Sequence, residues 1–297
     1  MIAIAAVFLL LLFGASFIAV TERLAHGGWR HAFASPLGEA ARLIAQQATR
    51  TERPDGVNWL IAPIGYLMVA TAGLSVVPFA PGVAVANLDA GIVLWGSCEA
   101  LTIVLVFLHG WSANSLLPLI GGYRYVAVAL PAMLISMFVL IGAALPARSL
   151  SVAAMVAAQE PIWNVVRQPL GLPLFLLLGL TIGLRGPFDY ADGADLATGT
   201  SAEVSGRARL GWRVARLAMT TAFAAMAATA FLGGYLGPWR PGPVWLIIKT
   251  ALVLVLMVIL GRNLARMPAP WMLSLIWTLL LPLSFLDLVI AGVVALS

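Results

Sequence analysis

The charged residues of this sequence are densest between residues 185 and 209. Arg185 is followed by Pro187-Phe188-Asp189, Asp192, Asp195 and Glu203, so four of the chain's twelve carboxylates lie in this segment. Because long apolar runs flank it, these charges must occupy a loop at a membrane surface or a cavity inside protein. Two interpretations follow: a solvated acidic loop, or the lining of a proton passage.

The three aspartates of this segment have a regular spacing. Asp189, Asp192 and Asp195 recur every three residues and would share one face if the segment turned helically. Like charges on one face repel, so their pKa values should spread unless Arg185 or a basic residue of a partner pairs with them.

Four ionisable residues interrupt otherwise apolar stretches: Glu99, Arg124, Lys249 and Asp287. An ionised carboxylate inside a span is costly, so Glu99 should face the bundle interior and be protonated or paired, with Arg124 as a candidate partner. Glu99 therefore suits either proton loading and release or a structural pair. Arg124 is either the cationic partner of buried carboxylates or an arginine that snorkels to the inner rim. Lys249 and Asp287 either extend a polar axis or approach the outer headgroups.

Other chemistry has little support. The single cysteine, Cys98, excludes a disulfide framework within the chain, so iron-sulfur or nickel-iron centres would belong to partners. His26, His31 and His109 lack metal-ligand spacing and are interpreted as interfacial histidines. The sequence contains no phosphate-binding glycine loop, nucleophile triad or dinucleotide fingerprint. We expect no metal site, no cofactor bound by this chain alone and no catalysis by it alone.

The composition predicts an integral membrane protein. Hydrophobic residues make up 62% of the chain and charged residues 10%, against roughly 25% charged in soluble domains. Repeated apolar runs favour helices over barrel strands, and therefore an all-α bundle in one domain, residues 1–297. The run at 169–184 is short for a span, and Pro169 and Pro173 indicate an irregular entry. The eight predicted spans are 1–20, 57–81, 90–108, 122–145, 169–184, 210–234, 243–260 and 269–295.

The connecting segments predict the orientation. Residues 21–56 are rich in arginine, and 36–47 reads as an amphipathic helix that lies at the interface or forms a solvated linker. If this loop is cytoplasmic, the charged loop 185–209 and the Arg262 to Arg266 loop share its side. The positive-inside rule then places both termini outside the cell's inner (plasma) membrane and makes 151–168 an outer amphipathic segment. The formal charge of +5 is therefore attributed to topology and lipid contact, and no nucleic acid is expected.

The order of the motifs resembles a known family. The charged segment, with its Ser205-Gly206 pair, resembles the long cytoplasmic loop of the family of H-type subunits (subunit 1) of respiratory complex I, or NADH-quinone oxidoreductase. That family includes the matching membrane subunit of group 4 energy-converting hydrogenases and formate hydrogenlyase. Further resemblances lie in Gln168-Pro169-Leu170-Gly171, in Gly110-Trp111-Ser112-Ala113-Asn114-Ser115 with Arg124, in Pro241-Gly242-Pro243 with Trp245 and Lys249, and in Leu280, Pro282-Leu283-Ser284 and Gly292.

The resemblance implies an eight-helix heel subunit of a redox-driven proton pump. Its loops and two soluble partner subunits would enclose a quinone chamber near Arg185 and Phe188, whose ring would anchor the loop. The expected partners are soluble redox subunits of a peripheral arm, antiporter-like membrane subunits and lipid. The implied proton path comprises Glu99, Arg124, Arg185, Asp189, Asp192, Asp195 and Glu203, with Lys249 and Asp287 as a possible polar axis.

Two family carboxylates are absent here. Glutamates of the family's middle helix and of the position before its Arg-x-Pro-Phe-Asp motif are replaced by Met133 and Ile182. Glu99 could compensate for the acid absent at Met133. Three alternatives stay open: a hydrogenase-type complex, a stand-alone transporter with Glu99 and Asp287 as proton sites, and a scaffold subunit that does not pump.

Overall fold

The computed structural model describes residues 2–25, 27, 32–239 and 242–296, and its regular structure is helical apart from an isolated bridge between Ala80 and Val83. The predicted all-α fold is confirmed. His26, Arg30, His31, Arg240 and Pro241 lie outside the described residues. The α-helices are α1 (Ile2–Ala25), α2 (Ser35–Ala45), α3 (Gly56–Ser75), α4 (Gly91–Ser112), α5 (Leu116–Ala144), α6 (Val152–Ala157), α7 (Asn164–Arg167), α8 (Gly171–Ile182), α9 (Gly206–Phe231), α10 (Pro243–Asn263), α11 (Ala269–Leu275) and α12 (Leu281–Leu296).

Seven helices of the described chain are long and apolar enough to cross a membrane. They include α1, α3, α4, α5, α9 and α10, and the seventh runs from Pro270 to Ala295 through a π-helical segment at Ile276–Leu280. The eighth predicted span is the short helix α8, whose 12 residues rise only about 18 Å. Pro173 is tolerated in its first turn, and Leu184 just beyond its end has φ 54°. Helix α8 is therefore a half-length helix inside the protein.

Helix α9 is the centre of the bundle. Helices α1, α3, α8 and α10 pack around it, and 89% of its most apolar stretch is buried inside the protein. Its buried side chains are mainly alanine between Ala222 and Ala230, and small side chains let neighbouring helices approach closely.

Three segments predicted to share one side of the membrane meet on one face of the protein. Glu22 at the end of α1 pairs with Arg185, and Arg266 after α10 pairs with Asp189, both at 2.5 Å. The Thr49 backbone N–H donates to Ser205 Oγ at 2.7 Å. Helix α2, close to the predicted amphipathic helix, is tied to α9 by the ion pair of Glu39 with Arg213.

The predicted outer segment 151–168 folds as two short helices, α6 and α7. Gln159 in the turn between them is fully buried. Its amide donates to the Thr229 carbonyl at 2.9 Å, and its Oε1 accepts from the Gly233 N–H at 3.0 Å. Buried hydrogen bonds to the end of α9 therefore hold this segment, which an amphipathic pattern did not indicate.

Candidate functional site

The three loop aspartates face three different arginines. Asp192 is buried and pairs with Arg216 of α9 at 2.8 Å. The exposed Asp195 pairs with Arg124 at 2.6 Å, and Asp189 pairs with Arg266. The expectation of a shared helical face is wrong, because the segment forms two separate 3-10 turns, Tyr190–Asp192 and Ala194–Leu196.

Burial makes Asp189 the most perturbed carboxyl of the loop for which a shift is resolved. Desolvation raises its pKa above the ordinary value of 3.8, while the Arg266 guanidinium acts in the opposite direction. The charge pairing that the sequence assigned to Arg185 is thus supplied to Asp189 by Arg266.

Arg185 and Phe188 have separate roles in the structure. Arg185 binds Glu22 at 2.5 Å and the Thr220 hydroxyl at 3.1 Å, and it lines a cavity of about 420 Å³. Six arginines and three carboxylates line this cavity. The Phe188 ring is not part of that lining; it is 4% exposed and packs between α8 and the π-helical segment, near Leu178 and Ile276.

Glu203 and Arg124 hold the rest of the loop against α5. Glu203 accepts a hydrogen bond from the Ser115 hydroxyl at 3.2 Å. The Arg124 guanidinium lies 4.6 Å from the centre of the Tyr190 ring. Gly121 of α5 is so close to the Ala191 and Thr200 backbone that an added Cβ would approach them at 2.7 and 2.8 Å. Loop and helix are thus in direct backbone contact.

The buried end of α8 continues the polar contacts inward from the loop. Arg216, which pairs with Asp192, also donates to the Leu184 carbonyl. The hydroxyls of Tyr66 and Tyr125 donate to the Ile182 carbonyl at 2.5 and 3.2 Å. The terminal carbonyls of a helix lack partners within the helix, so these side chains satisfy the end of α8 where no water reaches.

Glu99 lies at the inner end of this series. Trp95 Nε1 and the Ser136 hydroxyl donate to its Oε1 at 2.6 and 2.8 Å. The Thr102 hydroxyl donates to the Glu99 carbonyl at 2.6 Å and lies 3.5 Å from the Tyr125 hydroxyl. Glu99 Oε2 has no hydrogen-bond partner among the described residues, and Glu99 is only 2% exposed.

Several sequence expectations need correction. Glu99 does not pair with Arg124, because Arg124 points to the loop and binds Asp195. His109 is not interfacial: it is 2% exposed, and its ring stacks on Trp212 at 3.8 Å between centroids. Ile182 is 1% exposed, and the polar group at this position is its backbone carbonyl.

Lys249 and Asp287 are both buried, but they do not contact the Glu99 series directly. Lys249 Nζ donates to the carbonyls of Leu232 and Leu236 at 2.5 and 2.6 Å and lies 4.3 Å from the Trp163 ring centre. Asp287 Oδ2 accepts from Gln168 Nε2 at 2.5 Å. Neither side chain projects towards headgroups.

The fold and the site define a multi-pass helical membrane protein in which polar groups connect a charged loop with a buried carboxyl. The chain belongs to the family described as NADH dehydrogenase, which matches residues 2–292. The resemblance noted in the sequence is therefore confirmed.

The curated relatives give the family a more specific name. An NADH-quinone oxidoreductase H-type subunit, numbered 1, of Rhodopseudomonas palustris (strain HaA2) is 34% identical over 254 residues, covering 84% of this chain and 80% of the relative. An NADH-quinone oxidoreductase H-type subunit, numbered 2, of Cereibacter sphaeroides (strain ATCC 17029 / ATH 2.4.9) is 32% identical over 263 residues, covering 88% and 83%.

Sequence reasoning missed Tyr66, Tyr125 and Glu22 as members of the site. The tyrosines lie in apolar helices, where an aromatic residue is ordinarily a core residue. Glu22 carried a signal, since it is a carboxylate at the end of an apolar span and has to be paired or solvated.

Proposed function

We propose that this chain is the heel subunit of an NADH-quinone oxidoreductase-type, redox-driven proton pump. The observation that carries the proposal is the polar series that begins at the Asp192–Arg216 pair and ends at Glu99. Family membership and the names of the relatives support the same function.

The loop acts as the receiver of a charge change. A charge that appears within about 4 to 6 Å of a carboxylate shifts its pKa by about 1 to 3 units. Asp189 and Asp192 line the charged cavity, so a redox event in a neighbouring subunit at this place alters their proton occupancy. Arg216 connects Asp192 with the end of α8, where both tyrosines bind. Rearrangement of these hydrogen bonds then changes the environment of Glu99.

The cavity suits a quinone held at an interface with partner subunits. Quinone carbonyl oxygens accept hydrogen bonds, and guanidinium donors such as Arg185 and Arg213 line the cavity. A quinone bound there would supply the electron-accepting chemistry. This chain supplies hydrogen-bond donors and loop carboxylates and is not catalytic alone.

The partners and location follow from this assignment. Soluble redox subunits of a peripheral arm cover the face on which the three segments meet, and antiporter-like subunits and lipid cover the apolar flanks. The face with the loop is cytoplasmic, and both termini lie outside the inner (plasma) membrane, as the positive-inside rule indicates. Iron-sulfur centres belong to the partners.

The alternatives have less support. The names of the relatives favour the quinone complex over a hydrogenase-type complex or a stand-alone transporter. A non-pumping scaffold is suggested by the absence of acids at Met133 and Ile182, and experiment separates it from a pump.

The decisive experiment is Glu99→Gln in the assembled complex, with proton translocation per electron measured beside the quinone reduction rate. We expect translocation to fall at least tenfold. Ser136→Ala should give a smaller loss, because it removes one donor to Glu99. Ser97→Ala is its matched control, since that hydroxyl donates to its own helix at Val93 and is exposed. Unchanged pumping by Glu99→Gln would leave the scaffold function.

A further inference from the structure

A second polar site lies at the opposite end of α5 from the charged loop. The N-terminal part of α5 contacts the loop at Gly121, whereas Gly142 near its C-terminus lines a separate cavity of about 240 Å³. Asn164, Arg167 and Gln168 supply the polar lining, and Ala291 and Val294 of α12 close it. This cavity is well above the size that one water requires.

Gln168 is held in place on two sides. A Cβ at Gly142 would approach Gln168 Nε2 at 2.7 Å, and a Cβ at Gly171 would approach Gln168 Cδ at 2.9 Å. Only glycines leave room for the amide. Its Nε2 donates to Asp287 Oδ2 at 2.5 Å and to the Val139 carbonyl at 3.1 Å. The site is therefore built to orient this amide towards Asp287.

Two buried acceptors at the cavity have no partner in the described part of the chain. They are Gln168 Oε1 and Asn164 Oδ1, and both residues are at most 2% exposed. Buried amide oxygens without a hydrogen bond are costly. Their ligand must be a hydrogen-bond donor, and in a cavity of this size water meets that requirement.

We propose that this cavity is filled with water and is where Asp287 exchanges protons with the face opposite the loop. In the exchange step the Asp287 carboxyl gives its proton to a cavity water, forming carboxylate and hydronium, and the reverse step reprotonates it. Arg167 is the charged side chain that faces the cavity. It donates to the Ala158 carbonyl at 3.0 Å, and its charge favours the carboxylate form of Asp287.

Helix α5 brings this site close to Glu99. Ser136 donates to Glu99, and Val139, three residues on, accepts from Gln168. Three residues rise only about 4.5 Å along a helix. The two polar sites are thus separated by one turn of α5, and Asp287 provides an exit for protons that reach Glu99. This exit role rests on the proposed function, whereas the water-filled cavity does not.

Thiol labelling tests the cavity directly. In a Cys98→Ala background of the intact complex, Ala291→Cys places a thiol in the cavity. Val293→Cys is the matched control, because Val293 is 64% exposed on the apolar surface of the same helix. A membrane-impermeant, cationic methanethiosulfonate is added to whole cells and to inverted vesicles. We expect A291C to react at least tenfold faster than V293C, and only from the side opposite the loop.

The same label tests proton exchange. A cation fixed in the cavity should lower the protons translocated per electron at least twofold in A291C and leave V293C unchanged. Equal labelling rates, or labelling of A291C from the loop side, would overturn the water-filled access route. Labelled A291C with unchanged proton translocation would overturn the exchange role. If the unlabelled complex moved no protons, the proposed function would fail with the exit role, while the labelling rates would still report on the cavity.

Discussion

The hydroxyl of Tyr66 on α3 donates to the carbonyl of Ile182 at the end of α8, at 2.5 Å. Ile182 stands where the family resemblance predicts a glutamate, so a backbone carbonyl takes the place of a carboxylate. Tyr125 donates to the same oxygen. The end of α8 is therefore a polar junction without an ionisable side chain of its own.

Removal of the tyrosine hydroxyls should destabilise this junction non-additively. Tyr66→Phe and Tyr125→Phe should each cost about 1 kcal/mol, because the Ile182 carbonyl keeps one donor. The double variant should cost more than the sum, since a buried carbonyl then loses both donors. The midpoint of heat-induced dissociation of the purified complex measures this. Tyr123→Phe, at a side chain that is 57% exposed, is the control, and strict additivity would argue against the shared oxygen.

The contact of Gly121 with the loop should be sensitive to a single methyl group. Gly121→Ala forces the Ala191 and Thr200 backbone away from α5, so the loop should become susceptible to trypsin at Arg207 and Arg209, and quinone reduction should fall. Gly122→Ala is the matched control, because its Cβ would meet Phe107 at an ordinary 3.4 Å. Equal trypsin resistance in the two variants would contradict the backbone contact.

Asp189 should make stability depend on pH in a defined direction. Its folded-state pKa is raised above 3.8, so the folded form binds its proton more tightly than the unfolded form does. The ionised group therefore opposes folding at neutral pH, and this effect is relieved as the pH falls through the raised pKa towards 3.8.

Asp189→Asn should accordingly dissociate at a higher temperature than the parent at pH 7, and the difference should vanish at acidic pH. Heat-induced dissociation over a pH series measures it. Asp195→Asn removes the same charge from an exposed position of the loop and should not show this convergence. A difference for Asp189→Asn that grows as the pH falls would reverse the assigned sign.

Lys249 should be important for the end of α9. Its two hydrogen bonds to the carbonyls of Leu232 and Leu236 each contribute about 1.5 to 3 kcal/mol, as is usual for charged donors. Lys249→Met should therefore lower the dissociation temperature strongly. Lys249→Arg keeps the charge, and its planar group does not reproduce both contacts, so it should restore stability only in part. Full stability of Lys249→Met would remove this anchoring role.

The apolar runs predicted the helices well because a membrane requires long apolar segments whatever their partners. The basic loops likewise indicated which segments meet on one face, as Arg185 with Glu22 and Arg266 with Asp189 now show. Specific pairs were not predictable. The spacing of Asp189, Asp192 and Asp195 suggested one helical face, but Gly193 and the 3-10 turns around it direct each carboxylate to a different arginine.

The position of His109 shows a second limit. Its place near the end of an apolar helix is compatible with either an interface or the interior. Stacking on Trp212 decides between them, and that contact depends on how α4 packs against α9, which periodicity does not record.

The burial of α9 also has a consequence for how the chain is assembled in the bilayer. A helix whose surface is almost entirely covered by its neighbours, with Arg207, Arg209, Arg213 and Arg216 near its start, gains little from lipid contact by itself. Its insertion should depend on helices already delivered to the membrane, so premature termination before α10 should leave α9 exposed to quality-control proteases.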